Sequence, residues 1–117
     1  MNNKEYLLKL TFKEKKQLVQ NACFFYKKVK QIKTIINLKA RGTKKETNPK
    51  IDEYDEMNKS IFEHILENLE PVYSLIITKV FLEKPKEETW YMDYFSKSTF
   101  YKRQHEAIDE FINMFYG

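Results

Sequence analysis

The chain has 117 residues, of which 42% are hydrophobic, 15% aromatic and 32% charged, a composition typical of one globular domain. Only two glycines and three prolines occur, which argues against turn-rich β-architectures and excludes glycine-rich phosphate-binding loops. Cys23 is the single cysteine, so no internal disulfide is expected, and no apolar run approaches the roughly 18 residues that span a membrane. The apolar part of the N-terminal MNNKEYLLKL is too short for a signal peptide, which makes the cytoplasm the expected location.

Charge is distributed unevenly along the chain. Residues 1–50 carry a net charge of +11, residues 51–95 carry −7, and residues 96–117 are neutral. Nineteen of the 21 basic residues are lysines, which suit attraction to phosphates better than bidentate recognition of bases. The N-terminal part is therefore expected to present a cationic field and the middle of the chain an anionic one.

The first long element is a basic amphipathic helix, predicted over residues 12–38. Thr11 and Glu14 have the spacing of a capping box, in which each side chain binds the backbone N–H of the other residue. Before it, the apolar residues between Tyr6 and Leu10 predict a short helix that docks on the core. Apolar residues at alternating steps of four and three give the long helix a buried stripe of Leu18, Ala22, Phe25, Val29, Ile32 and Ile36.

Four further segments follow the first breaker cluster, KARGTKKETNP at residues 39–49. Gly42 is suited to ending a helix, and Asn48-Pro49 is suited to opening the next. That second helix is predicted over residues 50–69, and its outer face is acidic at residues 52–56. Pro71 starts a helix that is apolar nearly all round and is therefore expected to be the central one. The last three predicted helices span residues 71–82, 85–94 and 97–115, the final one capped by Ser96 and buried through Phe100, Ala107, Ile108, Phe111 and Phe115.

These elements predict an all-α fold of about five helices in one domain spanning residues 1–117. Its parts are a basic helix and loop over residues 1–48, central helices over 49–84, and a helix-turn-helix over 85–117. A short helix, a tight turn and a longer helix is the order of elements in that DNA-binding motif.

The last segment also resembles a known family. Residues 95–103 (FSKSTFYKR), followed by Ala107, Ile108 and Phe111, are similar to the recognition helix of small phage-type transcriptional regulators, the ArpU- and RinA-like proteins. A related small-protein family of mycoplasma-like bacteria has the same sequence motif. The resemblance covers roughly residues 66–115. It implies a helix-turn-helix like region 4 of bacterial sigma factors, duplex DNA as the partner, and action with RNA polymerase.

Helical phase selects the residues that would contact DNA. With the buried stripe facing inward, the opposite face of the last helix carries polar or basic residues in its N-terminal half. Asp109 and Glu110 follow later and mark where DNA should no longer be close. The predicted DNA-binding residues are Lys97, Ser98, Thr99, Tyr101, Lys102, Arg103 and His105, with the lysines on phosphate or guanine and Arg103 on backbone phosphate.

Neither catalysis nor a cofactor is indicated. The sequence has no nucleophile elbow, HExxH motif or phosphate loop, so we expect a protein that is not an enzyme. His64 and His105 lie 41 residues apart, and Cys23 has no ligand-like spacing to either, so no metal site is predicted. Cys23 is expected to be a buried small apolar residue.

Two other functions fit the same residues. The predicted recognition helix is electrically neutral and its turn lacks a glycine, which favours a non-catalytic protein-interaction module, for example one that binds RNA polymerase. The lysine-rich helix over residues 12–38 instead favours an RNA-binding factor. DNA binding requires the basic surface of that helix to be continuous with Ser98, Tyr101 and Lys102.

Overall fold

The computed structural model describes residues 3–42 and 61–117, and within these two ranges the protein is all-helical, with no β-strand. This confirms the predicted fold class. Residues 50–60 of the predicted second helix, and the acidic face at 52–56, lie outside the described residues. The elements are α1 (Asn3–Leu8), α2 (Phe12–Gly42), α3 (Ile61–Asn68), α4 (Pro71–Ile77), a π-helical segment (Thr78–Glu83), a 3₁₀ helix (Trp90–Asp93) and α5 (Lys97–Tyr116).

The start of α2 follows from its capping box. The backbone N–H of Glu14 donates to Thr11 Oγ1, and the N–H of Thr11 donates to a Glu14 carboxylate oxygen, each at 3.2 Å. Two backbone donors are thereby satisfied at the turn that separates α1 from α2. α1 docks through Leu7, which is buried. Both predictions for this region are confirmed.

The predicted buried stripe of α2 is correct only in its first half. Ala22 is buried, whereas Phe25, Ile32 and Ile36 are more than half exposed. The residues of α2 that are buried in the core are instead Val19, Ala22 and Cys23. Lys27 still reaches the π-helical segment, where its ammonium group donates to the carbonyl of Leu82, but every described side chain from residue 31 to residue 39 is exposed.

α4 begins at Pro71, the N1 position where the missing N–H costs nothing, and continues directly into the π-helical segment. Phe81 and the two isoleucines at the end of α4 are buried. Lys84 ends the segment in the left-handed region, at φ 47°, with its N–H bound to the carbonyl of Lys79. The predicted helix over residues 71–82 is thus present, with wider turns in its second half.

The predicted helix over residues 85–94 is wrong in extent, because only the 3₁₀ helix at Trp90–Asp93 forms. Residues 86–89 are polar or charged and exposed, so a helix there would have no apolar face to bury. Tyr91 anchors the short 3₁₀ turn as its buried residue.

α5 is the central helix, which corrects the prediction for residues 71–82. It packs against α1, α2, α3, α4 and the 3₁₀ helix. Ala107, Ile108 and Phe111 are fully buried along it, as the apolar stripe predicts, and Gln104 and Ile112 are buried beside them. Buried residues recur along one face of α5 from Phe100 to Ile112, so this helix packs on the core through most of its length.

Candidate nucleic-acid interface

α5 begins after a sharp break in the helical chain. Ser96 is extended (φ −68°, ψ 160°), and its Oγ accepts the backbone N–H of Thr99 at 3.3 Å. Just before it, Phe95 donates its N–H to the carbonyl of Tyr91 at 2.8 Å and so closes the 3₁₀ turn. The predicted cap is confirmed, and residues 85–116 do not form one uninterrupted helix.

An aromatic cluster fixes this end of α5 to the body of the protein. Phe100 is buried and stacks on Tyr91, with ring centroids 4.2 Å apart and planes at 4°. Trp90 meets the same Phe100 ring edge-on at 5.4 Å. Stacked and edge-to-face pairs of this kind add stability beyond their buried area. The first turn of α5 therefore packs on Tyr91 and Trp90 through Phe100, and its other side faces solvent.

The leading edge of α5, defined as Lys97, Ser98, Thr99, Tyr101 and Lys102, is exposed to solvent. Tyr101 is 47% exposed and lies against the aromatic cluster, with its ring centroid 5.5 Å from that of Phe100. Five of the seven predicted site residues thus share one accessible surface. The first two turns of α5 carry three basic residues before the first acidic one, Glu106.

Arg103, the sixth predicted residue, is engaged within the protein. Its Nη1 lies 2.8 Å from Glu106 Oε2, and the hydroxyl of Tyr73 on α4 donates to the same oxygen at 2.7 Å. The Tyr73 hydrogen bond and then the Arg103 ion pair lower the pKa of Glu106. Arg103 therefore lies on the α4 side of α5, with its charge already offset by a carboxylate.

His105, the seventh, is covered on one ring face. Phe12, the first residue of α2, stacks on it with ring centroids 3.8 Å apart and planes at 22°. One turn further along, Lys15 Nζ lies 2.8 Å from Asp109 Oδ1. His105 thus marks the point where α2 reaches α5, and the residue as a whole remains exposed.

These contacts also show the relative direction of α2 and α5. Phe12 meets His105, Lys15 meets Asp109, and the Tyr116 hydroxyl donates to the Leu18 carbonyl at 3.2 Å. The two helices therefore run in the same direction, with the start of α2 beside the middle of α5. Lys9 and Lys13, near the start of α2, are exposed there. The basic start of α2 thus lies beside His105, which follows Lys102 by three residues on α5.

Sequence patterns gave no warning of two of these contacts. Phe12 falls off the apolar stripe of α2, and Tyr73 is one of two aromatic residues in the mostly apolar segment over residues 71–82. Both act through partners distant in sequence, which only the packed fold brings close.

In the rest of the described structure there is a groove, but no metal-binding cluster and no membrane-spanning helix. A groove of about 300 Å³ runs between α2 and the π-helical segment, lined by Lys27, Lys84 and side-chain amides of α2, and none of the predicted site residues lines it. In residues 3–42 and 61–117 no cluster of three or more His, Cys, Asp or Glu side chains is arranged to hold a metal ion. No helix in these ranges is both long and apolar enough to cross a bilayer.

Comparison with known proteins gives no relative for this chain: no protein-family model, curated protein or solved structure matches it.

Proposed function

We propose that this protein is a DNA-binding transcriptional regulator that contacts duplex DNA through the leading edge of α5, alone or together with RNA polymerase. The observation that carries the proposal is the exposure of the leading edge on a helix end whose Phe100 packs against Trp90 and Tyr91. The major groove, about 12 Å wide, admits such a helix by its N-terminal end.

Each side chain has a role suited to its chemistry. Lys97 and Lys102 bind phosphates or guanine, and the first-turn amides of α5 add the positive end of the helix dipole. Ser98 and Thr99 donate to phosphates or base edges, while Tyr101 contacts a sugar or a thymine methyl.

The start of α2 contributes a second line of positive charge. Lys9 and Lys13 are exposed beside the region where Phe12 meets His105, so their ammonium groups can attract the phosphates that flank the groove. Arg103 is assigned a lesser role, because its ion pair with Glu106 must be shared or broken before it meets a phosphate.

The test is selection of bound sites from a random duplex pool with the full chain. We expect a common sequence to be enriched, and its enrichment to be lost when Lys102 is changed to Ala. Lys33→Ala is the matched control, since Lys33 lies on α2 some 21 residues, or roughly 30 Å, beyond Phe12. Failure to enrich any sequence, with equal retention of all duplexes, would contradict the proposal.

A protein-interaction module is the second candidate. It is favoured by one observation, the exposed apolar side chains in the second half of α2.

A further inference from the structure

The second half of α2 carries an apolar surface that none of the described helices covers. Every described side chain from residue 31 to residue 39 is exposed. Among them Ile32, Ile35 and Ile36 are 55%, 53% and 58% exposed, and Phe25, two turns before Ile32, is 70% exposed. A contiguous patch of large apolar residues is uncommon on a protein surface and marks an interaction site.

The spacing of these residues is that of a helix-packing seam. Apolar residues recur at steps of four, three and four, at Phe25, Val29, Ile32 and Ile36. They continue the line of residues that α2 buries nearer its start, and Ile35 lies beside them. The seam is about 17 Å long at roughly 1.5 Å per residue. These five residues are called the α2 apolar face below. A narrow seam of this kind matches the side-chain ridge of one partner helix.

Charge specifies the partner. Lys28, Lys30, Lys33 and Lys39 surround the α2 apolar face, and no acidic residue occurs between Lys15 and Lys39. A second copy of α2 would bring like charges together along the seam, which is destabilising. Phosphate groups would satisfy the lysines and leave the isoleucines in water. An acidic helix with its own apolar stripe satisfies both.

We propose that the α2 apolar face is a docking surface for an acidic amphipathic helix of a partner protein. The apolar seam supplies contact area and the flanking lysines supply orientation and selection against basic helices. This inference stands apart from DNA binding, because the α2 apolar face and the leading edge of α5 share no residue.

The probe is a synthetic helical peptide of about three heptads, with Leu at the a and d positions and Glu at e and g. Two matched peptides carry Lys in place of Glu, or Ala in place of Leu. Binding of each labelled peptide to the full chain is measured by fluorescence anisotropy. We expect the acidic peptide to bind at least about tenfold more tightly than either control.

Variants of the chain then locate the binding surface. Ile32→Asp and, independently, Lys33→Glu should each weaken binding of the acidic peptide about tenfold or more, while Lys102→Ala should leave it unchanged. Because both positions on α2 are exposed, circular dichroism should show the same helix content for all variants.

Several results would overturn the proposal. The proposal is contradicted if the acidic peptide binds no better than the lysine peptide, or if it binds equally to wild type and to the Ile32→Asp variant. Loss in Ile32→Asp of a dimer seen by sedimentation, or of binding to anionic vesicles, would instead identify a second copy or a lipid surface as the occupant. A large loss of unfolding free energy in Ile32→Asp would mean that another part of this chain covers the face.

Discussion

The ring of Phe12 stacks on the ring of His105 at a centroid distance of 3.8 Å, joining the first residue of α2 to the middle of α5. With the Lys15–Asp109 ion pair one turn away, this contact sets where the basic helix meets the candidate DNA-binding helix. Each helix is capped at its own start, α2 by Thr11 and α5 by Ser96.

Phe12→Ala should lower the free energy of unfolding by about 1–3 kcal/mol, less than a fully buried phenylalanine would cost, because Phe12 is half-buried. Urea denaturation followed by circular dichroism measures the change. Phe24→Ala is the control, since Phe24 is 64% exposed, and it should change the stability by less than about 0.5 kcal/mol. Equal losses for the two variants would contradict the stacking role of Phe12.

Ser96 and Ser98 should separate stability from binding. Ser96→Ala removes the cap of α5 and should cost about 1 kcal/mol of unfolding free energy. Ser98→Ala should leave the stability nearly unchanged but weaken binding to the selected duplex, because Ser98 is exposed on the leading edge. Thermal melts and electrophoretic shift assays of both variants give the two readouts. A stable Ser98→Ala protein with unaltered binding would exclude Ser98 from the interface.

Glu106 should make stability fall in acid. Its pKa is lowered by the Tyr73 hydrogen bond and then by Arg103, so the folded state holds this carboxylate ionised more strongly than the unfolded state does. The contribution is present above the unfolded-state value and is lost as pH falls through the lower folded-state value. In urea titrations, the free energy of unfolding of wild type should therefore exceed that of Glu106→Gln at neutral pH, and the difference should shrink as the pH falls to about 3. Glu110→Gln controls for net charge, and a pH-independent difference between wild type and Glu106→Gln would contradict the prediction.

Cys23 should be unreactive while the protein is folded. Its side chain is 2% exposed, and burial raises its pKa to about 12, so little thiolate is present near neutral pH. Modification by a thiol reagent should be slow in native buffer and fast in denaturant. Because the chain has one cysteine, the rate reports on this site alone. A native rate equal to that of free cysteine would mean that α2 does not bury Cys23.

Local signals in the sequence predicted the elements well. The capping box at Thr11, the proline at Pro71 and the cap at Ser96 each mark a helix start within one residue of the observed one. Each depends on groups within three or four residues of one another, so the fold adds nothing that could override it.

Tertiary partners were the part that the sequence could not supply. The stripe through Ile32 and Ile36 looks the same in the sequence whether another helix covers it or not. Pro85 and the one-turn spacing of Trp90 and Tyr94 predict a helix over residues 85–94, but residues 86–89 have no apolar face to hold one. Arg103 and His105 have the right helical phase, but Glu106 and Phe12 engage them from directions that periodicity does not encode.

The salt dependence of binding to the selected duplex is the most direct test of the leading edge of α5. Log affinity should fall linearly with log salt concentration, and Lys102→Ala should reduce the slope by about 0.9, the value of one phosphate contact, while Lys33→Ala leaves it nearly unchanged. A slope that is the same for wild type and Lys102→Ala, or that falls equally for the two variants, would contradict DNA binding through this edge.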